Sequence, residues 1–317
     1  MIFQSIRDLK KFDSSIDVVA VKSILDGPFF SFEVNDGSVQ GAGAATNAAG
    51  ALTKALSEFA ERHVVKNFAS QLGVLTSSGF AAHVDEDSAK RAAASELIER
   101  DAFMVCWFAQ ILPVWLAPNQ ISVDKSFRDL LLSLDIAGIR FKVGLLAKSG
   151  GYFVSVGMLD FRECTTHRAA YGFVTEADDS FMGAICKVIL SLCRISNLIL
   201  TRKTVGGELF SQVDVFEVKR PHEHLEYYLN PINRSALQPW WESRSSQVLS
   251  LESPDITFQV LNHPIADLLQ RKVIFSNSTS LLSYFCGTSI DFELVEKRLK
   301  VLGFSINIDR SILHPLS

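Results

Sequence analysis

SSGFAAHVDEDSAKRAAASELIERDAFMVCW, residues 77–107, places a glycine-led loop ahead of a long helix. Asp85, Asp87 and Ser88 suit a helix start, because their short polar side chains take up amide N–H groups that the first turn leaves without partners. The good helix formers that follow predict a helix as far as Phe103. Glu96 and Glu99, three residues apart, then lie close to one face of that helix.

The same plan recurs on both sides of this stretch. Upstream is GAATNAAGALTKALSEFAER, residues 43–62, and downstream is GFVTEADDSFMGAICKVILSLCR, residues 172–194. Counted from the leading glycine, Glu96 follows Gly79 by 17 residues, Glu58 follows Gly43 by 15, and Ser191 follows Gly172 by 19. Three glycine-loop-helix units therefore share one plan, with a chance likeness between alanine-rich helices as the alternative for any one alignment, the third copy above all. In the first unit Leu52, Leu56, Phe59 and His63 recur at helical spacing and predict one buried stripe, with Glu58, Glu61 and Arg62 off it. The third helix is apolar nearly all round, so Lys187, Ser191 and Arg194 need partners.

Between and around these units run β-rich stretches such as Phe141 to Leu146 and Tyr152 to Leu159. Together they predict a mixed α/β architecture. No Pro/Gly/Ser-rich linker divides the chain, so residues 1–317 are read as one composite domain. The hydrophobic fraction of 48% supports a large core. With 21% charged residues and a net charge of -4, the basic footprint of a nucleic-acid-binding protein is missing. The most apolar window, Phe181 to Leu200, is long enough to cross a membrane, but it contains Lys187 and Arg194 and is read as a buried helix. The amino terminus mixes charge with apolar residues from Arg7 onward, unlike a signal peptide. The cysteines Cys106, Cys164, Cys186, Cys193 and Cys286 show no zinc or disulfide spacing, which points to a reducing, cytoplasmic setting.

Glu-x-x-Glu-Arg occurs twice, as Glu58 to Arg62 and as Glu96 to Arg100. Neighbouring carboxylates on a helix repel, and a bound cation reverses the sign of that interaction. Hard oxygen donors of this kind suit magnesium shared with the phosphates of a nucleotide, while Arg62 and Arg100 can neutralise phosphate or orient a carboxylate. A single copy reads as a solvated face with local ion pairs; two copies, each behind a glycine-rich loop, favour a cation site. Gly41-Ala42-Gly43 offers backbone that phosphate can approach, although it is neither a Walker loop nor a dinucleotide fingerprint. His222, His224 and Tyr227 precede Trp240-Trp241 and read as a helix surface, with a metal or base role as the alternative. His83 lies in the second glycine loop, and no Gly-x-Ser-x-Gly elbow is present.

Segments 41–63, 77–108 and 172–194 resemble the three core motifs of the YcaO family, and LHPLS at residues 313–317 resembles a variant of its proline-rich carboxyl terminus. The match is loose after Pro221 to Pro231. The resemblance implies an ATP site without a P-loop, with Glu58, Glu61, Glu96 and Glu99 as Mg2+ ligands. It further implies that Gly41, Gly43, Arg62, Arg100 and Ser191 help to hold the nucleotide, and that Arg194 and the carboxylate of Ser317 act at the reacting centre. In the implied reaction, a Cys, Ser or Thr side chain of a ribosomal precursor peptide attacks the preceding backbone carbonyl, and the oxyanion takes the γ-phosphoryl group of ATP. Loss of phosphate, a far better leaving group than hydroxide, then closes a thiazoline or oxazoline. Relatives that use an outside sulfur or amine make thioamides or amidines. An E1-like leader-binding partner, a flavin dehydrogenase in the same complex and an oligomeric state are implied as well.

The chain departs from the family pattern in four places. Ser191 and Arg194 stand where the third motif usually has glutamate and glutamine, Gly41-Ala42-Gly43 where Gly-Lys-Gly is common, and Lys54 where a small hydroxyl residue is common. The terminus also lacks repeated prolines. A non-catalytic subunit that presents the precursor is therefore the competing expectation.

Overall fold

Asn47, Asp85 and Ser180 each end a short link from a strand and begin a long helix, and these three junctions organise the fold. The computed structural model describes residues 2–73, 77–161, 171–204, 227, 235–282, 290–308 and 315, with backbone alone at 2–5 and 202–204. The chain divides into two compact units, Met1–Leu97 with Asp255–Thr279, and Ile98–Pro254 with Ser280–Ser317.

The first unit opens with helix α1 (Ile2–Phe12) and strands β1 (Asp17–Val21), β2 (Phe30–Asn35) and β3 (Gln40–Ala45), which form an antiparallel sheet in that order. Helix α2 (Ala48–Leu72) follows, and the Asn47 side chain accepts the Gly50 N–H at 2.8 Å. Leu52, Ala55, Leu56 and Phe59 are buried, as the stripe predicts, because α2 lies on β2 and β3. His63, at the end of the stripe, is half-buried with Nε2 2.9 Å from the Asp36 carboxylate. A second sheet runs β10 (Thr257–Leu261), β11 (Lys272–Asn277), β4 (Phe80–His83), with β4 at its edge and α7 (Pro264–Leu268) between β10 and β11 in sequence. Phe59, Phe80, Val273 and Phe275 share one apolar core, and each large side chain buried there contributes about 1.5–3 kcal/mol.

Gly41 and Gly43 belong to β3, paired with Val34 and Phe32 of β2. The sequence reading placed them in a loop; they lie in a strand because their missing side chains let α2 settle directly on its backbone. A Cβ at Gly41 would come within 2.5 Å of the Ala55 carbonyl oxygen and 2.7 Å of the Phe59 Cα. Gly41→Ala is therefore expected to destabilise the protein by about 1–3 kcal/mol, the usual cost of overpacking against rigid backbone. The urea midpoint measures it, and a midpoint equal to the parent's would refute this packing.

Helix α3 (Glu86–Ala109) contributes residues to both units. The Asp85 side chain accepts the Ser88 N–H at 2.8 Å, which makes Asp85 its cap. In the second unit, β5 (Val114–Trp115), β6 (Arg140–Ser149), β7 (Tyr152–Asp160) and β8 (Tyr171–Asp178) form an antiparallel sheet in that order, and β9 (Leu249–Leu251) runs parallel to β6. The two β-rich runs read from sequence are the paired strands β6 and β7. Helix α4 (Lys125–Ile136) precedes β6, and α6 (Gln238–Trp241) and α8 (Phe292–Val301) belong to the same unit.

Helix α5 (Phe181–Thr204) packs on β7 and β8, burying Ile185, Val188, Ile189, Leu192 and Cys193. It is long and apolar enough to cross a membrane, yet its apolar side chains are used inside this unit. Lys187 donates to the Ala177 carbonyl at 2.8 Å and pairs with Asp178 at 2.9 Å, whereas Arg194 is exposed. On the α3 side, Phe103, Trp107, Phe173 and Trp240 form an aromatic core, with Phe103 and Phe173 ring centroids 5.3 Å apart.

Candidate functional site

The buried stripe of α2 leaves Glu58 and Glu61 at its margin, where both are half-buried. Glu58 Oε2 accepts the Ala42 N–H of β3 at 2.9 Å, and its Oε1 pairs with Arg62 one turn on. Arg62 Nη1 donates to the Gln40 carbonyl at 2.8 Å. Carboxylate and guanidinium are thus clamped to the same strand, and Arg62 acts first as an orienting group for Glu58. Gly41 and Gly43 stand on either side of Ala42 and contribute by letting α2 come close enough for that bond.

Glu61 accepts the N–H of Ala82, on edge strand β4. Its proton affinity is raised well above the ordinary glutamate value by burial first, then by the charges of Glu96 and Glu58, with Arg62 opposing. The charges of Glu58, on the same helix, and of Glu96, on α3, are thus both felt at Glu61, although among the described residues no three acidic, histidine or cysteine side chains stand close enough together to form a metal site as they are. Each is a hard oxygen donor of the kind Mg2+ takes, and backbone N–H groups fix the direction of Glu58 and Glu61.

Within the second unit, buried Glu99 accepts the Thr175 hydroxyl of β8 at 2.7 Å, and Arg100 Nη1 lies 3.4 Å from the same carboxylate. Ser191 is half-buried and donates to Glu176 Oε1 at 2.5 Å. Thr175 and Glu176 escaped the sequence reading. An acid in the apolar run GFVTEAD was a legible oddity, but its partner lies fifteen residues on, and strand periodicity alone does not name it.

Other expectations fall elsewhere. Lys54 is exposed on α2, and exposed His83 has Nδ1 3.3 Å from Asp85. Tyr227 is half-buried, while His222, His224, Cys164, Cys286 and Ser317 lie outside the described residues. Cys106, Cys186 and Cys193 are free thiols.

A family model described as YcaO cyclodehydratase, ATP- and Mg2+-binding, matches residues 66–271. The chain belongs to the YcaO family. Its cofactors, ATP and Mg2+, are those the resemblance implied, and the matched region includes Glu96, Glu99 and the third helix. Solved YcaO-like structures agree in fold. A heterocyclase in complex with substrate and cofactor superimposes with a TM-score of 0.65 at 10% identity, covering 98% of this chain and 56% of that one. The YcaO protein of Methanopyrus kandleri bound with AMPPCP and Mg2+ gives 0.59 at 13%, covering 99% and 96%. The E. coli microcin synthetase McbBCD complex with pro-MccB17 bound gives 0.57 at 10%, covering 83% and 88%. The chain thus spans little more than half the length of the heterocyclase, and at these identities the likeness to the YcaO structures is one of fold. Comparison with curated proteins finds no match.

Proposed function

We propose that this YcaO protein is the ATP- and Mg2+-dependent subunit that phosphorylates a backbone amide oxygen of a ribosomally made peptide and so closes thiazoline or oxazoline rings. The observation that carries the proposal is the buried Glu61 carboxyl, which feels the charges of Glu96 and Glu58 and whose ionised form costs free energy unless a cation is present.

Glu58, Glu61, Glu96 and Glu99 are the residues assigned to Mg2+, with Arg62 and Arg100 orienting Glu58 and Glu99. Bound ATP supplies the phosphoryl group, and Mg2+ neutralises the charge that builds on its oxygens. Arg194, exposed on α5, brings a positive charge that phosphate oxygens can use. Ser317 is assigned to the reacting centre, and one composite catalytic domain is assigned to the whole chain. The peptide is delivered by a separate leader-binding partner, in the cytoplasm, with a flavin dehydrogenase oxidising the rings in the same assembly.

Calorimetric titration with ATP and Mg2+ is expected to give saturable binding at one site per chain. With precursor and partner added, phosphate release and loss of a water for each ring in the peptide mass complete the test. Absence of Mg2+-dependent binding overturns the proposal. Oxygen-to-sulfur exchange in place of water loss redirects it to thioamide chemistry. A non-catalytic, precursor-presenting subunit is the second reading, supported by Ser191 and Arg194 at the third helix, and it expects binding without phosphate release.

A further inference from the structure

Strands hold three of the acids assigned to Mg2+. Glu58 accepts the Ala42 N–H of β3, Glu61 the Ala82 N–H of β4 and Glu99 the Thr175 hydroxyl of β8. β3 and β4 each end their sheet, and an end strand presents main-chain N–H groups that no neighbouring strand takes. Glu99 instead meets the face of its strand, where side chains project and main-chain groups do not. The donor there has to come from a side chain. Of the three donors, Thr175 is thus the one that a substitution can remove while the backbone stays as it is.

The meeting of Glu99 with Thr175 is set one helical turn away. Phe103 follows Glu99 by four residues on α3 and shares its side of the helix, while Phe173 precedes Thr175 by two on β8 and shares its face. The Phe103 and Phe173 rings are buried with centroids 5.3 Å apart, and Trp240 closes on them at 6.2 and 5.5 Å. This aromatic contact fixes the height of α3 over β8, so that Glu99 and Thr175, 6% and 4% exposed, come together. A carboxylate so deeply buried is costly unless donors reach it. The Thr175 hydroxyl reaches Oε1 at 2.7 Å, and Arg100 Nη1 lies 3.4 Å from the same oxygen. The first distance is that of a short, charge-assisted hydrogen bond and the second is beyond the usual range of one, so of the two the hydroxyl has the stronger hold. Thr175 is β-branched, which restricts its χ1 and keeps the hydroxyl aimed.

We infer that Thr175 is the positioning residue for Glu99 as a Mg2+ ligand. The inference rests on the assignment of Glu99 to Mg2+ made above and adds a residue which that reading leaves out. Without the hydroxyl, the carboxylate settles against the Arg100 guanidinium, whose positive charge competes with a cation for it.

The test is calorimetry of the full chain with a non-hydrolysable ATP analogue at a series of Mg2+ concentrations, with thermal melts alongside. Thr175→Val keeps the branched shape and removes the donor. It is expected to raise the Mg2+ concentration needed for half-saturation by about tenfold or more, the usual effect of losing an outer-sphere partner, while affinity at saturating Mg2+ stays near the parent's. Thr175→Ser returns the hydroxyl and is expected to bring the Mg2+ midpoint back close to the parent's. In a Glu99→Gln background Thr175→Val is expected to change nothing further, because it acts through that carboxylate. Thr175→Ala serves the same comparison where Thr175→Val melts below the assay temperature. A Mg2+ midpoint in Thr175→Val equal to the parent's overturns the inference, and so does an equal loss in Thr175→Ser, which assigns the position to packing. A further loss on top of Glu99→Gln overturns it too. If Glu99→Gln needs no more Mg2+ than the parent while Glu61→Gln abolishes binding, this inference falls and the functional proposal stands; a parent that binds no nucleotide overturns both.

Discussion

Glu61→Gln is expected to remove a pH dependence of stability and to abolish Mg2+-dependent ATP binding in the same protein. In the folded chain burial, Glu96 and Glu58 raise the Glu61 carboxyl above its ordinary value of 4.5. The folded state then holds the proton more tightly than the unfolded state. The stability that this contributes is fully present below the ordinary value and is lost as pH rises through the raised one. Without Mg2+, the parent should therefore melt at progressively lower temperature as the pH climbs out of the acidic range, and Glu61→Gln should melt a few degrees higher than the parent at neutral pH. Mg2+ with ATP should flatten the parent's profile, because a cation favours the ionised carboxylate and its binding releases protons. The loss of affinity in the variant should exceed the roughly 10- to 100-fold typical of an outer-sphere partner. Melting curves across pH, with and without Mg2+, check the first part and calorimetry the second. Identical profiles for parent and variant would show that Glu61 is not held in its crowded, half-buried form.

The long helices were legible because their stripes are: Leu52, Leu56 and Phe59 for α2, and the nearly unbroken apolar surface of α5. The strands that lead into them were harder. GAGAA in β3 and FAAH in β4 are poor in β-branched residues, and they become strands because small side chains fit beneath a helix or beside β11, which propensity does not register. Aligning the units on glycine gave offsets of 15, 17 and 19 for one structural position. Aligning them on the caps gives eleven each time, because the helix is regular from its cap onward while the link before it varies in length. The four glutamates were read from spacing alone, whereas Glu176 was not, since a strand side chain meets its helical partner only through the packing of α5 on β8. The division into two units carries no linker because it passes through α3 and closes with a return of residues 255–279 to the first unit.

A second large effect is expected at Asp101, immediately after the Glu-x-x-Glu-Arg of α3. Its carboxylate, 1% exposed, accepts from Arg298 Nε at 3.0 Å and Nη2 at 2.7 Å, and from the Leu282 N–H at 2.8 Å. Arg298 projects from α8, so this fork ties α8 and the Leu282 backbone to the portion of α3 that carries Glu99. Asp101→Ala leaves a largely buried guanidinium and a buried N–H without their acceptor, at a cost of about 3–5 kcal/mol, or a melting temperature lowered by roughly 10 °C. The cost comes from the group left behind more than from the pair itself, so Asp101→Leu combined with Arg298→Met should recover much of it. A double-mutant cycle by urea denaturation separates the two contributions, and additive losses from Asp101→Ala and Arg298→Ala would show that the fork does not form. Below its lowered melting temperature, Asp101→Ala should still bind ATP with Mg2+ within a few-fold of the parent. Glu99 is held from the other side by Thr175, so losing the anchor of the helix does not release the acid.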